Sequence, residues 1–208
     1  VCAGDPPAGQ LSPFAEELLA RWDAGRDAVA VRRAEDRASC ALLGASHRHL
    51  SIPDAIFRQD RATGRLLYSD STTLFGPVHP ADQQVVHELA ATIVRDVPAD
   101  AQLVCPLTVG DHVDHQLTRT AAELAGLPIW YYLDFPYILH AADIEHYFPG
   151  GVQPHTFPLT AADVEAWVAG IGAHASQLST FWADAATMRT AVTEYAGEFG
   201  GIRLYSPP

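Results

Sequence analysis

Charge is sparse in this sequence, and basic charge sparser still. Charged residues make up 18% of the chain, with 13 Lys and Arg against 25 Asp and Glu, a formal balance of -12. Phosphate backbones and anionic bilayers attract basic surfaces, so neither nucleic acid nor a membrane surface is expected as the main partner. A small anion in a locally basic pocket stays compatible with that balance. Cysteine is rare as well. Cys2, Cys40 and Cys105 are odd in number and widely spaced. Without a CxxC pair, a cysteine-based zinc site or a disulfide framework has no support, and a reducing cytoplasm is the expected compartment. No apolar run is long enough to span a bilayer, and no signal peptide is recognisable. No G-x-S-x-G or Walker string occurs, which removes support for nucleophilic serine and P-loop chemistry.

What is present suits a globular enzyme or binding domain. Hydrophobic residues form 48% of 208, enough to bury a core, and the low charge fraction argues against disorder. The length fits one α/β domain spanning 1–208. Helices and strands alternate, which predicts a three-layer, Rossmann-like fold with a mostly parallel sheet and helices on both faces. Ser12-Pro13 is a helix start, and a second helix runs from about Ala28 to Leu43 and stops at Gly44. His49 to Ile52 reads as a short strand. Asp82 caps an amphipathic helix that continues to Val97. Gln102 to Leu107 and Ile129 to Leu133 read as strands, with a helix between them ending at Gly126. Gln153 to Pro158 reads as an edge strand, Thr160 and Asp163 as a capping-box start, and Asp184 to Glu198 as the last helix.

The informative stretch is Pro106-Leu-Thr-Val-Gly-Asp-His112-Val113-Asp114-His115, where a buried strand ends and a helix begins. In open α/β sheets ligands bind outside the carboxyl ends of strands. His112 and His115 stand three residues apart at a helix start and can converge on one point. Asp114 can cap the helix or orient an imidazole. Chance assembly of two surface histidines and a capping aspartate is the plain alternative. The position after a strand, with Gly110 in the turn, weighs toward function.

The string PLTVGDHVDHQLTRTAAELAG resembles the second signature of the PIG-L (LmbE-like) family of zinc-dependent deacetylases. VCAGDPP, RRAEDRASCALLGA, SIPDAIFR and YYLDFPYI line up with that family in the same order, so the resemblance runs to about Tyr137. It implies a Rossmann-like hydrolase, most often one that removes an N-acetyl group from a glucosamine-type sugar or conjugate. By the same resemblance His115 is a ligand to Zn2+, His112 stabilises the tetrahedral intermediate or acts as acid, and Asp114 supports them. Zinc lowers the pKa of bound water to about 7 and polarises the carbonyl, and a nearby imidazolium stabilises the oxyanion and protonates the amine.

The family's first signature, His-Pro-x-Asp-Asp, is not found. The chain opens at VCAG, a string that follows that signature in the family, so truncation upstream of Val1 is expected. This fragment alone is then expected to hold zinc poorly and to be inactive. Val78-His79-Pro80-Ala81-Asp82 imitates the signature in the wrong order along the chain. Arg58 is a candidate anchor for a sugar hydroxyl or phosphate, or else an exposed loop arginine. Asp54 divides the same way between substrate contact and loop shaping. Asp134 and Tyr137 fall at the rim after a strand. Trp130, Tyr131 and Tyr132 read as packing residues, and the remaining histidines, His49 and His155 among them, as structural. Gly170-Ile-Gly172-Ala-His-Ala175 fits a dinucleotide fingerprint only on paper, since it sits within a helical pattern. Two further readings remain: a catalytically inactive binding protein on the same scaffold, and a metallohydrolase joining His79, Asp82 and His115.

Overall fold

The computed structural model describes residues 1–9, 11–22 and 25–207. The chain divides into two compact units, each discontinuous in sequence: Val1–Phe57 with Thr156–Ile202, and Arg58–His155 with Arg203–Pro208. Among the described residues there are eight α-helices and four strands.

The first unit is helical. Its α1 (Pro13–Arg21) begins as the sequence predicts, with Ser12 Oγ accepting the Ala15 N–H at 3.0 Å and proline at the first helical position. Helix α2 (Ala28–Leu42) ends at Leu43, and Gly44 follows with φ +65°, the left-handed conformation that glycine adopts without a Cβ penalty. Helix α6 (Ala161–Gly172) starts on the expected capping box. Thr160 Oγ1 accepts the Asp163 N–H at 3.2 Å, and Asp163 accepts the Thr160 N–H at 2.8 Å. It packs against α2 and against α8 (Ala185–Phe199). Gly170 and Gly172 are therefore helical. A Cβ on Gly170 would come within 3.2 Å of Leu43, so its smallness serves packing. The short α7 (Ala175–Phe181) has no counterpart in the sequence reading.

The strand expected at His49 to Ile52 is reduced to two isolated bridges, Cys2 with Ser51 and Gly4 with Pro53. Pro6 and Pro7 follow immediately and have no N–H to extend a ladder.

The second unit carries a βαβ element. Strand β1 (Leu103–Pro106) leads through α5 (Val113–Leu124) to β2 (Ile129–Tyr132), and the two strands pair in parallel with Pro106 opposite Tyr132. Helix α5 packs on β1 through a stripe that includes Val113, Leu117 and Ala121, all 0% exposed. Burying a Leu or Val side chain contributes roughly 1.5–3 kcal/mol. Helix α4 (Gln83–Asp96) packs on α5 in turn, burying Val86, Leu89 and Ala90. In β1 the Cys105 side chain is buried, and burial first, then the nearby Glu123 carboxylate, pushes its thiol up to about 12.

The sheet has the order β1-β2-β4-β3, with β3 (Gln153–Pro158) at an edge as expected and β4 (Gly201–Ser206) antiparallel to β2. Both β3 and β4 run across the division between the units. The sheet is therefore mixed, which corrects the expectation of a mostly parallel one. A helical crossover imposes parallel pairing on β1 and β2 alone. Strand β4, absent from the sequence reading, enters after Gly200 in the left-handed conformation, and a Cβ on Gly201 would fall 2.0 Å from the Phe157 carbonyl oxygen. No helix among the described residues is long and apolar enough to cross a membrane.

Candidate active site

The site lies in the second unit, at the turn from β1 into α5. That turn is bent tightly. Thr108 (φ 74°) and Asp111 (φ 60°) are left-handed without being glycine, and Gly110 has φ 89°. Such conformations cost of order 1–3 kcal/mol each in non-glycine residues and persist only where neighbours over-determine them. Here they do. The Val109 N–H donates to Asp134 Oδ2 at 2.9 Å, and the Asp111 N–H to the Thr108 carbonyl at 3.0 Å. Tyr147 reaches across to accept the Gly110 N–H at 3.4 Å and to donate to Asp111 Oδ2 at 3.0 Å. Burial, partly opposed by that N–H, raises the Tyr147 phenol above its ordinary range, so it remains a hydroxyl donor. Arg119 Nη1 donates to the carbonyls of Leu107 and Tyr147 at 2.9 and 2.8 Å and ties the two segments together.

His112 and His115 come together, their ring centroids 5.3 Å apart. Each ring is fixed by a different partner. His112 is the N-cap of α5, and its Nδ1 accepts the Asp114 N–H at 3.2 Å. In the neutral ring the proton therefore sits on Nε2, which is a donor. His115 faces Asp134, whose Oδ1 is 2.5 Å from Nδ1. A carboxylate at that nitrogen holds the proton on Nδ1 and leaves the Nε2 lone pair outward, the arrangement in which histidines bind metals.

Asp134 is the residue the sequence reading undervalued. It is 1% exposed, with one oxygen on the strained turn and the other on His115. The parallel register explains the meeting: Pro106 opposite Tyr132 places the residues after each strand at one edge of the sheet. An aspartate two residues past the strand that neighbours β1, the strand leading to the histidines, was the available signal.

The tasks expected of Asp114 are divided differently. His112, not Asp114, caps the helix, and Asp134, not Asp114, orients the metal-type imidazole. The Asp114 carboxylate instead forms an ion pair with Arg58 Nη1. Arg58 is not an exposed loop residue. It is 3% exposed, its Nε donates to Asp82 Oδ2 at 2.7 Å, and its guanidinium lies 5.1 Å from the Tyr68 ring centroid. Asp82 stands at the start of α4 as predicted, but its side chain makes no cap hydrogen bond. It accepts from Arg58 and from the Tyr68 hydroxyl at 2.7 Å. Burial above all raises the Tyr68 phenol to about 12 and keeps it a donor. His79 caps the short turn Pro80–Asp82 through Nδ1, which accepts the Ala81 N–H at 3.1 Å. The imitation signature thus belongs to a helix start and a buried ion pair.

Two aromatic rings flank the imidazoles. Phe75, 39% exposed, meets His112 edge-on at 5.4 Å, and Tyr137 meets His115 at 5.6 Å. Trp130 stacks on His155 at 4.5 Å, and Tyr131 is buried. In the first unit Asp54 shapes its own loop by accepting the Ile56 N–H at 3.3 Å and pairing with Arg32 at 2.8 Å. It lines a cavity of about 340 Å³ with Arg32, Arg33 and His49.

Among the described residues no group of three or more His, Cys, Asp or Glu side chains is placed to hold a metal ion. His79, Asp82 and His115 therefore do not form the metal site considered for them. His115 has the support of a ligand, but the residues described do not fit a complete zinc site.

No family model matches the chain. Solved structures do. The zinc-inhibited form of a teicoplanin deacetylase superposes with a TM-score of 0.82 at 24% identity, over 100% of this chain and 84% of that one. The deacetylase of the A40926 pseudoaglycone superposes with a TM-score of 0.73 at 26% identity, over 100% and 82%. The fold is one that deacetylases use. In sequence, 123 residues are 37% identical to 2'-N-acetylparomamine deacetylase of Streptomyces fradiae, covering 55% of this chain. The matched stretch spans 40% of that protein's length.

Proposed function

We propose that this chain carries part of the catalytic centre of an N-deacetylase that hydrolyses the acetamide of an acetylated amino sugar or sugar conjugate, as a member of the PIG-L (LmbE-like) family. The observation that carries the reading is the pair of imidazoles at the carboxyl edge of β1, their centroids 5.3 Å apart, with Nδ1 of one on the Asp114 N–H and Nδ1 of the other on the Asp134 carboxylate. The likeness to 2'-N-acetylparomamine deacetylase and to the A40926 pseudoaglycone deacetylase supports it.

Amide hydrolysis has three demands: a water must lose a proton, the carbonyl oxygen must be stabilised as it becomes an oxyanion, and the leaving nitrogen must gain a proton. His112 suits the second. Its Nε2–H is a donor toward the oxyanion, while the proton the amine gains as the C–N bond breaks is the one the attacking water loses, since the neutral His112 ring could give up its own only by becoming an imidazolate. Asp114 supports His112 through its backbone N–H. Deprotonation of the water is assigned to no described residue. His115, oriented by Asp134, is read as one ligand of a divalent metal, zinc by the resemblance. A bound zinc would acidify the water and polarise the amide. Catalytic zinc takes three protein ligands, so the others are read as lying outside the described residues.

The test has two arms. The parent protein is expected to release acetate from N-acetylglucosamine conjugates or acetylated aminoglycosides and to lose that activity with a chelator. The 208-residue chain alone is expected to bind zinc weakly by calorimetry and to release no acetate. An inert parent would end the enzyme reading. The incomplete ligand set would then favour the second one, a binding protein that holds the same sugars without cleaving them.

A further inference from the structure

Behind Asp114 a buried network runs through Arg58 to Asp82 and Tyr68. We propose that Arg58, backed by Asp82 and Tyr68, is a positioning residue that acts through Asp114 and does not touch substrate. The inference rests on the deacetylase reading above.

Arg58 uses two different edges of its guanidinium. Nε donates to Asp82 Oδ2 at 2.7 Å, and Nη1 pairs with Asp114 Oδ1. Only a planar fork spans two carboxylates in this way, and a lysine ammonium is a single point charge. The far end of the bridge is itself fixed. Asp82 is 2% exposed and also accepts the Tyr68 hydroxyl at 2.7 Å, and that hydroxyl accepts the His79 N–H at 2.9 Å. The Arg58 backbone is held as well, its carbonyl accepting the Leu67 N–H at 3.0 Å. An arginine closed in at 3% exposure presents little to a sugar.

The near end of the bridge is the first turn of α5. Asp114 lies between the two imidazoles in sequence, and its N–H is what His112 Nδ1 accepts. Anchoring the Asp114 carboxylate fixes the rotation of that turn, and with it the direction of His112 Nε2 and of His115. A swing of the turn by a fraction of an ångström would misplace the donor without weakening any direct contact to substrate.

Steady-state kinetics of the full-length parent decide the matter. Arg58→Lys is expected to lower kcat by roughly tenfold to a hundredfold, the usual range for groups that orient a reacting residue, with KM changed less than about twofold. In an Asp114→Asn background the same substitution is expected to cost nothing further, because both act along one path. A rise in KM with kcat retained, or costs that multiply in the double variant, would overturn the proposal in favour of direct substrate contact. If Arg58→Lys fails to give a cooperative thermal transition, Tyr68→Phe takes its place. It removes only the hydroxyl that holds Asp82, and it should lower kcat several-fold at unchanged KM, whereas wild-type kinetics would sink the idea. An inactive wild-type parent would fail the deacetylase reading itself, an outcome distinct from an active parent whose Arg58 variant shifts KM alone.

Discussion

Asp134 concentrates the most consequence in the fewest atoms, since one buried carboxylate serves both a strained turn and an imidazole. Asp134→Asn keeps the shape and leaves an oxygen for the Val109 N–H, but it removes the charge that holds the His115 proton on Nδ1. A loss of roughly tenfold to a hundredfold in kcat or metal affinity of the parent is expected, with a smaller change in unfolding midpoint. Unchanged kinetics would dissociate His115 from the chemistry. Gly110 makes a complementary test of the turn. Its φ of 89° and the 2.9 Å that would separate an added Cβ from the Tyr137 ring both forbid a side chain. Gly110→Ala should cost about 1–3 kcal/mol in urea unfolding. At this scale the sequence was half informative. His112 and His115 were legible because their spacing is local. Asp134 was undervalued and the carboxylate partners of Arg58 went unseen, because His115 lies 19 residues from Asp134 and Arg58 lies 24 and 56 residues from Asp82 and Asp114, and only strand register and helix packing bring them close.

Helix boundaries were read well for a related reason. Caps are local chemistry, and Ser12, Thr160 and Asp184 each bond an N–H three residues on. The elements missed are those without such punctuation: β4, whose apolar residues do not alternate cleanly, and the short α7. The acidic caps also set a pH response. The Thr187 N–H, then its hydroxyl, hold the Asp184 carboxyl below the usual carboxylate range, and the Thr73 N–H does the same first for Asp70. A group whose folded pKa is depressed contributes stability above its unfolded value and loses it as pH falls through the folded one. Urea midpoints should therefore be flat near neutrality and decline below about pH 4. Asp184→Asn, which still caps but does not titrate, should soften the acid decline. A slope unaltered by that change would assign the decline to other carboxylates.

Across the whole molecule, composition narrowed the classes and topology placed the site. The -12 balance spoke to partners, and a strand end followed by two histidines spoke to location. The mixed character of the sheet lay beyond reach, because it depends on which strand inserts beside β2, a matter of packing among elements distant in sequence.

Cys105 turns that topology into a timer. Its sulfur sits in the strand that delivers the histidines, enclosed and far from the thiolate form, while Cys2 and Cys40 are only partly covered. A disulfide reagent should modify those two promptly and reach the third only when the β1 ribbon detaches from its neighbours. The lag of the third equivalent would thus clock how often the floor beneath the catalytic turn comes apart, with no need for substrate, metal or activity.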